Sequence, residues 1–224
     1  MFEQEVELEK HQSSVLPLLL IVTLILAIVG VAVHNIRESR KVLTVPEAAN
    51  VITDVLKAQG PATIRFHTGS LVSSVADRPT EPHYRLLEKI GVLKIGRATS
   101  SGAVPIALTP KGEQLLSQIP GVQITKEKDG TEAYLVPLAV RRLADVNRIE
   151  TVRPRRANVE FTWMWEPNAL GESFDAGGAP VKAFNTWDRA TLIDKYGVQF
   201  YHDAPTKVIM ALTRTDKGWQ PATD

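Results

Sequence analysis

The chain has no cysteine, which excludes disulfides, a thiolate nucleophile and cysteine-held zinc or iron–sulfur clusters. It also lacks an excess of charge of either sign. Lysine plus arginine number 26 against 25 aspartate plus glutamate, a net charge of +1, so composition points to no polyanionic partner. Nucleophile elbow, zincin helix and dinucleotide fingerprint are all missing. Asp175-Ala-Gly-Gly178 is not followed by the Lys-Ser/Thr of a phosphate loop. His11, His34, His67, His83 and His202 show no metal-ligand spacing, so neither a metal nor a cofactor is expected. Tyr201-His202-Asp203, if extended, places neighbouring side chains on opposite faces and builds no acid–base pair. Glu160 and Glu166 are too far apart along a strand, at about 3.3 Å per residue, to couple. No catalytic residue is assigned, and an enzyme ranks behind two other readings.

What is present begins with an apolar run. From Val15 to Val33 the sequence VLPLLLIVTLILAIVGVAV carries no charge, and a helix of that length nearly matches a hydrocarbon core about 30 Å thick. The residues before it are acidic (Glu3, Glu5, Glu7, Glu9), unlike the basic start of a cleaved signal peptide. The expected organisation is an acidic tail over 1–14, a transmembrane helix over 15–34 and a basic juxtamembrane linker over 35–43. Lys10 stands alone on the N-terminal side, whereas Arg37, Arg40 and Lys41 follow the run. The positive-inside rule therefore expects the C-terminal part in the cytoplasm, with the opposite side still open because long domains translocate regardless of charge.

Residues 44–120 alternate helical and extended patterns. Thr44-Val-Pro-Glu opens a helix, and Ala48, Val51, Ile52, Val55 and Leu56 recur at helical spacing until Gly60-Pro61. Leu71, Val72 and Val75 suggest a second helix, and Glu81–Ile90 a third. Val92–Ile95 and Pro105–Leu108 predict a two-stranded ribbon, and Thr109-Pro-Lys-Gly-Glu113 starts a further helix ending near Pro120. The segments LLEKIGVLKI and IALTPKGEQLL, in this order of elements, resemble a winged helix. That resemblance implies a third helix able to enter a DNA groove, with Arg78, Arg85, Lys89 and Arg97 as candidate nucleic-acid contacts. Glu81 and Glu88 on the same helix, and a wing without a basic tip, favour packing or partner binding instead.

Residues 121–224 read as an antiparallel β-rich module. Lys126–Thr131 makes the turn of a hairpin between Val122–Thr125 and Ala133–Val136. The stretch around Arg141–Asp145 is charged and poorly periodic. In Ala157–Glu166, Val159, Phe161, Trp163 and Trp165 alternate with mostly polar residues, the pattern of a half-buried strand. At that spacing Phe161, Trp163, Trp165 and Trp219 are expected in the core rather than on a ligand. Lys207–Thr213 is the natural partner strand, Asp216-Lys-Gly218 a turn, and Asn185–Tyr196 a short helix capped by Thr186. The passage VEFTWMWEPNALGESFD resembles a segment of bacterial envelope proteins of no known activity, in which it follows a winged-helix-like module. Relatives of that type are often exported lipoproteins, which implies the outer side of the membrane, although this chain has no lipobox cysteine.

The expectation is an α+β chain: one N-terminal transmembrane helix, a winged-helix-like module, then an antiparallel sheet with a short helix. Its partners would be the lipid bilayer and a protein, with nucleic acid a weaker choice. The expected role is that of a non-enzymatic interaction or scaffold protein, the alternative a membrane-tethered DNA-binding transcription regulator.

Overall fold

The computed structural model describes residues 19–31, 33, 42–72, 78–196 and 205–223. The acidic tail, Arg37, Arg40, Lys41, Val75, His11, His34 and the Tyr201-His202-Asp203 triplet lie outside them. The apolar run enters as a helix, α1 (19–31), apolar and exposed all round, with Leu19, Leu20, Ile21, Leu24, Ile25 and Leu26 each 53% or more exposed. Among the described residues no helix is long and apolar enough to cross a membrane; both ends of the expected span fall outside them.

Helix α2 (Val45–Ala58) starts as its sequence requires. The Glu47 amide donates to the Thr44 hydroxyl while the Thr44 amide donates to the Glu47 carboxylate, a reciprocal capping box. Strand β1 (Ala62–Val72) corrects the expected second helix. Ile64, Phe66 and Thr68 are buried on one face, a period of two, and Leu71 and Val72 end this strand. Then follow α3 (Pro82–Lys89), β2 (Leu93–Ile95), β3 (Ala103–Leu108) and α4 (Pro110–Ser117), the helix–ribbon–helix run expected from the sequence.

The C-terminal half comprises β4 (Gln123–Lys126), β5 (Glu132–Arg153), β6 (Arg156–Pro167), α5 (Ala169–Ser173), α6 (Ala179–Lys182), α7 (Thr186–Tyr196), β7 (Thr206–Thr215) and β8 (Gly218–Pro221). Helix α7 is capped by Asn185, whose side-chain oxygen accepts from the Asp188 amide at 2.9 Å, and not by Thr186. The largest departure is β5, which runs through the stretch read as poorly periodic. Its pairing with β6 slips at Ala144, Asn147 and Val152, and each extra residue moves the following side chains to the other face.

All eight strands form one antiparallel sheet in the order β2-β3-β1-β5-β6-β7-β8, with β4 also paired to β5. Because β1 pairs with β5 from Ala62↔Ala139 to Thr68↔Glu132, the expected boundary near residue 120 does not divide the sheet. Strand β5 belongs to both halves, flanked by β1 and β4 before Ala139 and paired with β6 from there on.

Two cores result. The first gathers Ile64, Phe66, Tyr134, Val136 and Leu138 under Tyr84, Leu87, Leu116, Leu170 and Leu192 of the helices. The second seats Leu43, Ala48, Ile52 and Leu56 on Ala157, Val159, Phe161, Leu212 and Trp219. Helices α2 and α3 therefore serve different cores, so the trihelical packing of a winged helix does not form between them.

Candidate functional site

The four expected nucleic-acid contacts do not form one free basic face. Helix α3 packs against α6 and α7. Arg85 is held to Asp188 of α7 at 2.6 Å, with its guanidinium 5.6 Å from the Phe184 ring centre. Lys89 stands 5.4 Å over the same ring. Arg78 and Arg97 are exposed, one before α3 and the other in the β2–β3 connection. The side that would enter a groove is thus partly occupied by the chain's own residues.

The motif behind the winged-helix likeness has a packing explanation. Thr109 caps α4, accepting from the Gly112 amide at 3.0 Å, and donates its hydroxyl proton to the Gly91 carbonyl at 2.6 Å. Lys111 donates to the Ile90 carbonyl at 2.7 Å. Any Cβ on Gly112 would run into the Val92 carbonyl oxygen. The Thr-x-x-Gly step thereby ties the start of α4 to the end of α3. Asn168-x-x-Gly171 repeats the device. Asn168 accepts from the Leu170 and Gly171 amides and donates to the Pro137 carbonyl, and a Cβ on Gly171 would strike the Leu138 carbonyl oxygen.

A half-open cavity of about 380 Å³ lies between the C-terminal end of α2 and the β5–β6 pair. Leu56, Pro61, Val140 and Leu143 supply its apolar wall, and Lys57, Arg141, Arg142 and Glu166 its charge. Arg141 organises it. Cross-strand register puts Arg141 opposite Trp165, and its guanidinium lies 4.3 Å from that ring centre and 5.4 Å from that of Trp163. The two indoles meet edge-on at 5.4 Å, and Arg141 donates to the Gly60 carbonyl at 3.0 Å. Burial pulls the Arg141 pKa down from its ordinary value, although a guanidinium stays charged at physiological pH. Three cations against one carboxylate beside apolar walls suit an apolar group carrying negative charge.

The expected core aromatics divide: Phe161 and Trp219 are buried, while Trp163 and Trp165 are partly exposed and pack against the Arg141 guanidinium. Sequence reasoning missed Arg141 because its partner is defined only by the β5–β6 register, which the bulges hide.

A second polar group lies at the β4–β5 hairpin. Glu127 accepts from Arg65 at 3.0 Å and stands 3.2 Å from His67 Nε2. Asp129 accepts from the amide and hydroxyl of Thr131, which hold its carboxyl below the usual range. Burial, aided by the Glu132 carboxylate at 2.9 Å, holds the Tyr134 phenol above its own. These contacts fix the turn. Among the described residues no group of three or more His, Asp or Glu side chains could hold a metal ion.

No protein-family model matches the chain, and neither a curated protein nor a solved structure does.

Proposed function

We propose that this is a single-pass, membrane-anchored, non-enzymatic protein whose sheet domain docks a protein partner. The observation that carries the reading is α1, apolar and exposed all round, a surface that water disfavours and lipid accepts. The uncharged run from Val15 to Val33 extends it to a spanning length. The basic residues after the run favour a cytoplasmic sheet domain. Docking is supported by the Arg141 cavity, which offers an anchoring pocket to an acidic, apolar segment.

Alkaline extraction of membranes tests the anchor: the chain stays in the pellet, and paired Leu24→Lys and Leu26→Lys substitutions release it. Release of the unaltered chain would refute the anchor. Reporters fused after Asp224 read the side of the membrane. A photo-crosslinker at Lys57 tests the pocket, with one discrete adduct expected that Arg141→Ala weakens.

The DNA-regulator reading draws less support, since Arg85 is committed to Asp188 and Phe184. Salt-dependent DNA binding weakened by Lys89→Ala would restore it.

A further inference from the structure

We propose that the tip of the β5–β6 hairpin is a contact surface for anionic phospholipid headgroups, holding the sheet domain against the membrane that anchors it. This rests on the membrane-anchored reading. Three observations support it.

The first is charge. The hairpin turns at Arg153-Pro154-Arg155-Arg156, all exposed. Strand pairing brings Arg214 alongside, its amide donating to the Arg155 carbonyl at 2.8 Å, and the β7–β8 turn adds the exposed Lys217. Against these stand Glu150, which Arg148 approaches at 3.9 Å, and Asp216. A chain with a net charge of +1 thus concentrates positive charge on one extremity.

The second is backbone conformation. Pro154 fixes a negative φ, which excludes both of the turns that suit a two-residue hairpin, and the turn formed instead carries a positive φ at the following position. That position is Arg155, at φ 66°, the one described non-glycine residue on the positive side. Glycine would adopt this conformation freely. An arginine held in a conformation that disfavours it points to a use for its charge.

The third is direction. The end of α2 is pinned to β5 by the Arg141–Gly60 hydrogen bond, and the helix also packs on β8, which pairs with Leu212–Thr215 beside the hairpin tip. Helix α2 therefore begins toward the arginine end of the sheet. Leu43, just before it, is buried in the second core, so Val42, the first described residue before α2, lies on that side. Eight residues separate Val33 from Val42, a reach of at most about 30 Å. An anchor tethered this closely brings the tip to the headgroups. Phosphate is the matching chemistry, since guanidinium groups bind its oxygens in pairs.

The cysteine-free chain permits a direct test. Full-length Val152→Cys, labelled with an environment-sensitive fluorophore, is reconstituted into vesicles of phosphatidylcholine alone or with phosphatidylglycerol, each containing a headgroup-quenching lipid. The expected result is quenching that requires phosphatidylglycerol and fades at high salt. Each arginine removed from Arg153, Arg155 or Arg156 lowers tip occupancy about fivefold. Arg155→Gly relieves the strained turn, so it weakens quenching without lowering the melting temperature. A label at Lys126→Cys, on the β4–β5 hairpin, serves as the control for generic proximity. Vesicle flotation in phosphatidylcholine alone reads the anchor separately: failure to float overturns the anchored reading. Flotation with tip quenching that is absent, or indifferent to phosphatidylglycerol and arginine, overturns this proposal alone. A label that responds to duplex DNA and not to anionic vesicles would overturn it in favour of a nucleic-acid contact.

Discussion

Tyr134 is held from two sides: the hydroxyl donates to Glu132 at 2.9 Å and the ring stacks on Phe66 at 5.1 Å. Burial is the larger reason that its pKa is raised, the carboxylate the next. Because the folded value lies above that of the unfolded chain, about 10, the stabilisation is complete below about pH 10 and is lost as pH rises through the folded value. Tyr134→Phe should therefore cost about 1 kcal/mol at neutral pH and flatten the alkaline limb of a melting-temperature profile. A limb unchanged in the variant would assign the loss to another group. Gly112 and Gly171 make a second pair of expectations. Alanine at either must displace a backbone carbonyl, so each should cost about 1–3 kcal/mol in denaturant unfolding. Gly130, with open space around it, marks the contrast in packing: its need is for a positive φ of 84° alone.

Among the elements, those with a local signal were legible. The Thr44 capping box, the α3 periodicity, the Thr109 cap and the alternating aromatics of β6 are each written within one window of sequence. Thr44→Ala should cost about 1 kcal/mol, read by chemical denaturation, because the helix loses its reciprocal cap. Strand β1 carries the same alternation, with Arg65 and His67 between Ile64, Phe66 and Thr68, and was missed because Leu71-Val72 at its end mimics a helical cluster. Strand β5 was missed for a different reason. Three bulges reset its alternation, so no single period fits Val140 to Arg153. The cavity inherits that obscurity, since Arg141 and Trp165 are partners only through a register that no local pattern encodes.

For the whole molecule, the shared strand predicts shared stability. In a Trp165→Phe, Trp187→Phe background the remaining indoles are Trp219, in the second core, and Trp163, packed against it, so tryptophan fluorescence reports on that half. Leu138 is fully buried in the first core. Leu138→Ala should cost about 2–5 kcal/mol, and the fluorescence and circular-dichroism midpoints should fall together. A fluorescence midpoint that stays in place would mean that the halves unfold separately.

Beyond Ala139, among the described residues, β5 pairs with β6 on one side and with no strand on the other. Helix α2 packs along β5 and covers part of that side, and the row of amides and carbonyls left beyond it would invite a second copy to add its own strand, a hazard sharpened for molecules crowded in the plane of a membrane. The three bulges and the scatter of Arg141, Arg142, Asp145, Arg148 and Glu150 along that row oppose it. Deleting Ala144 would straighten one kink, and the expected price is a protein that folds yet slowly aggregates edge to edge.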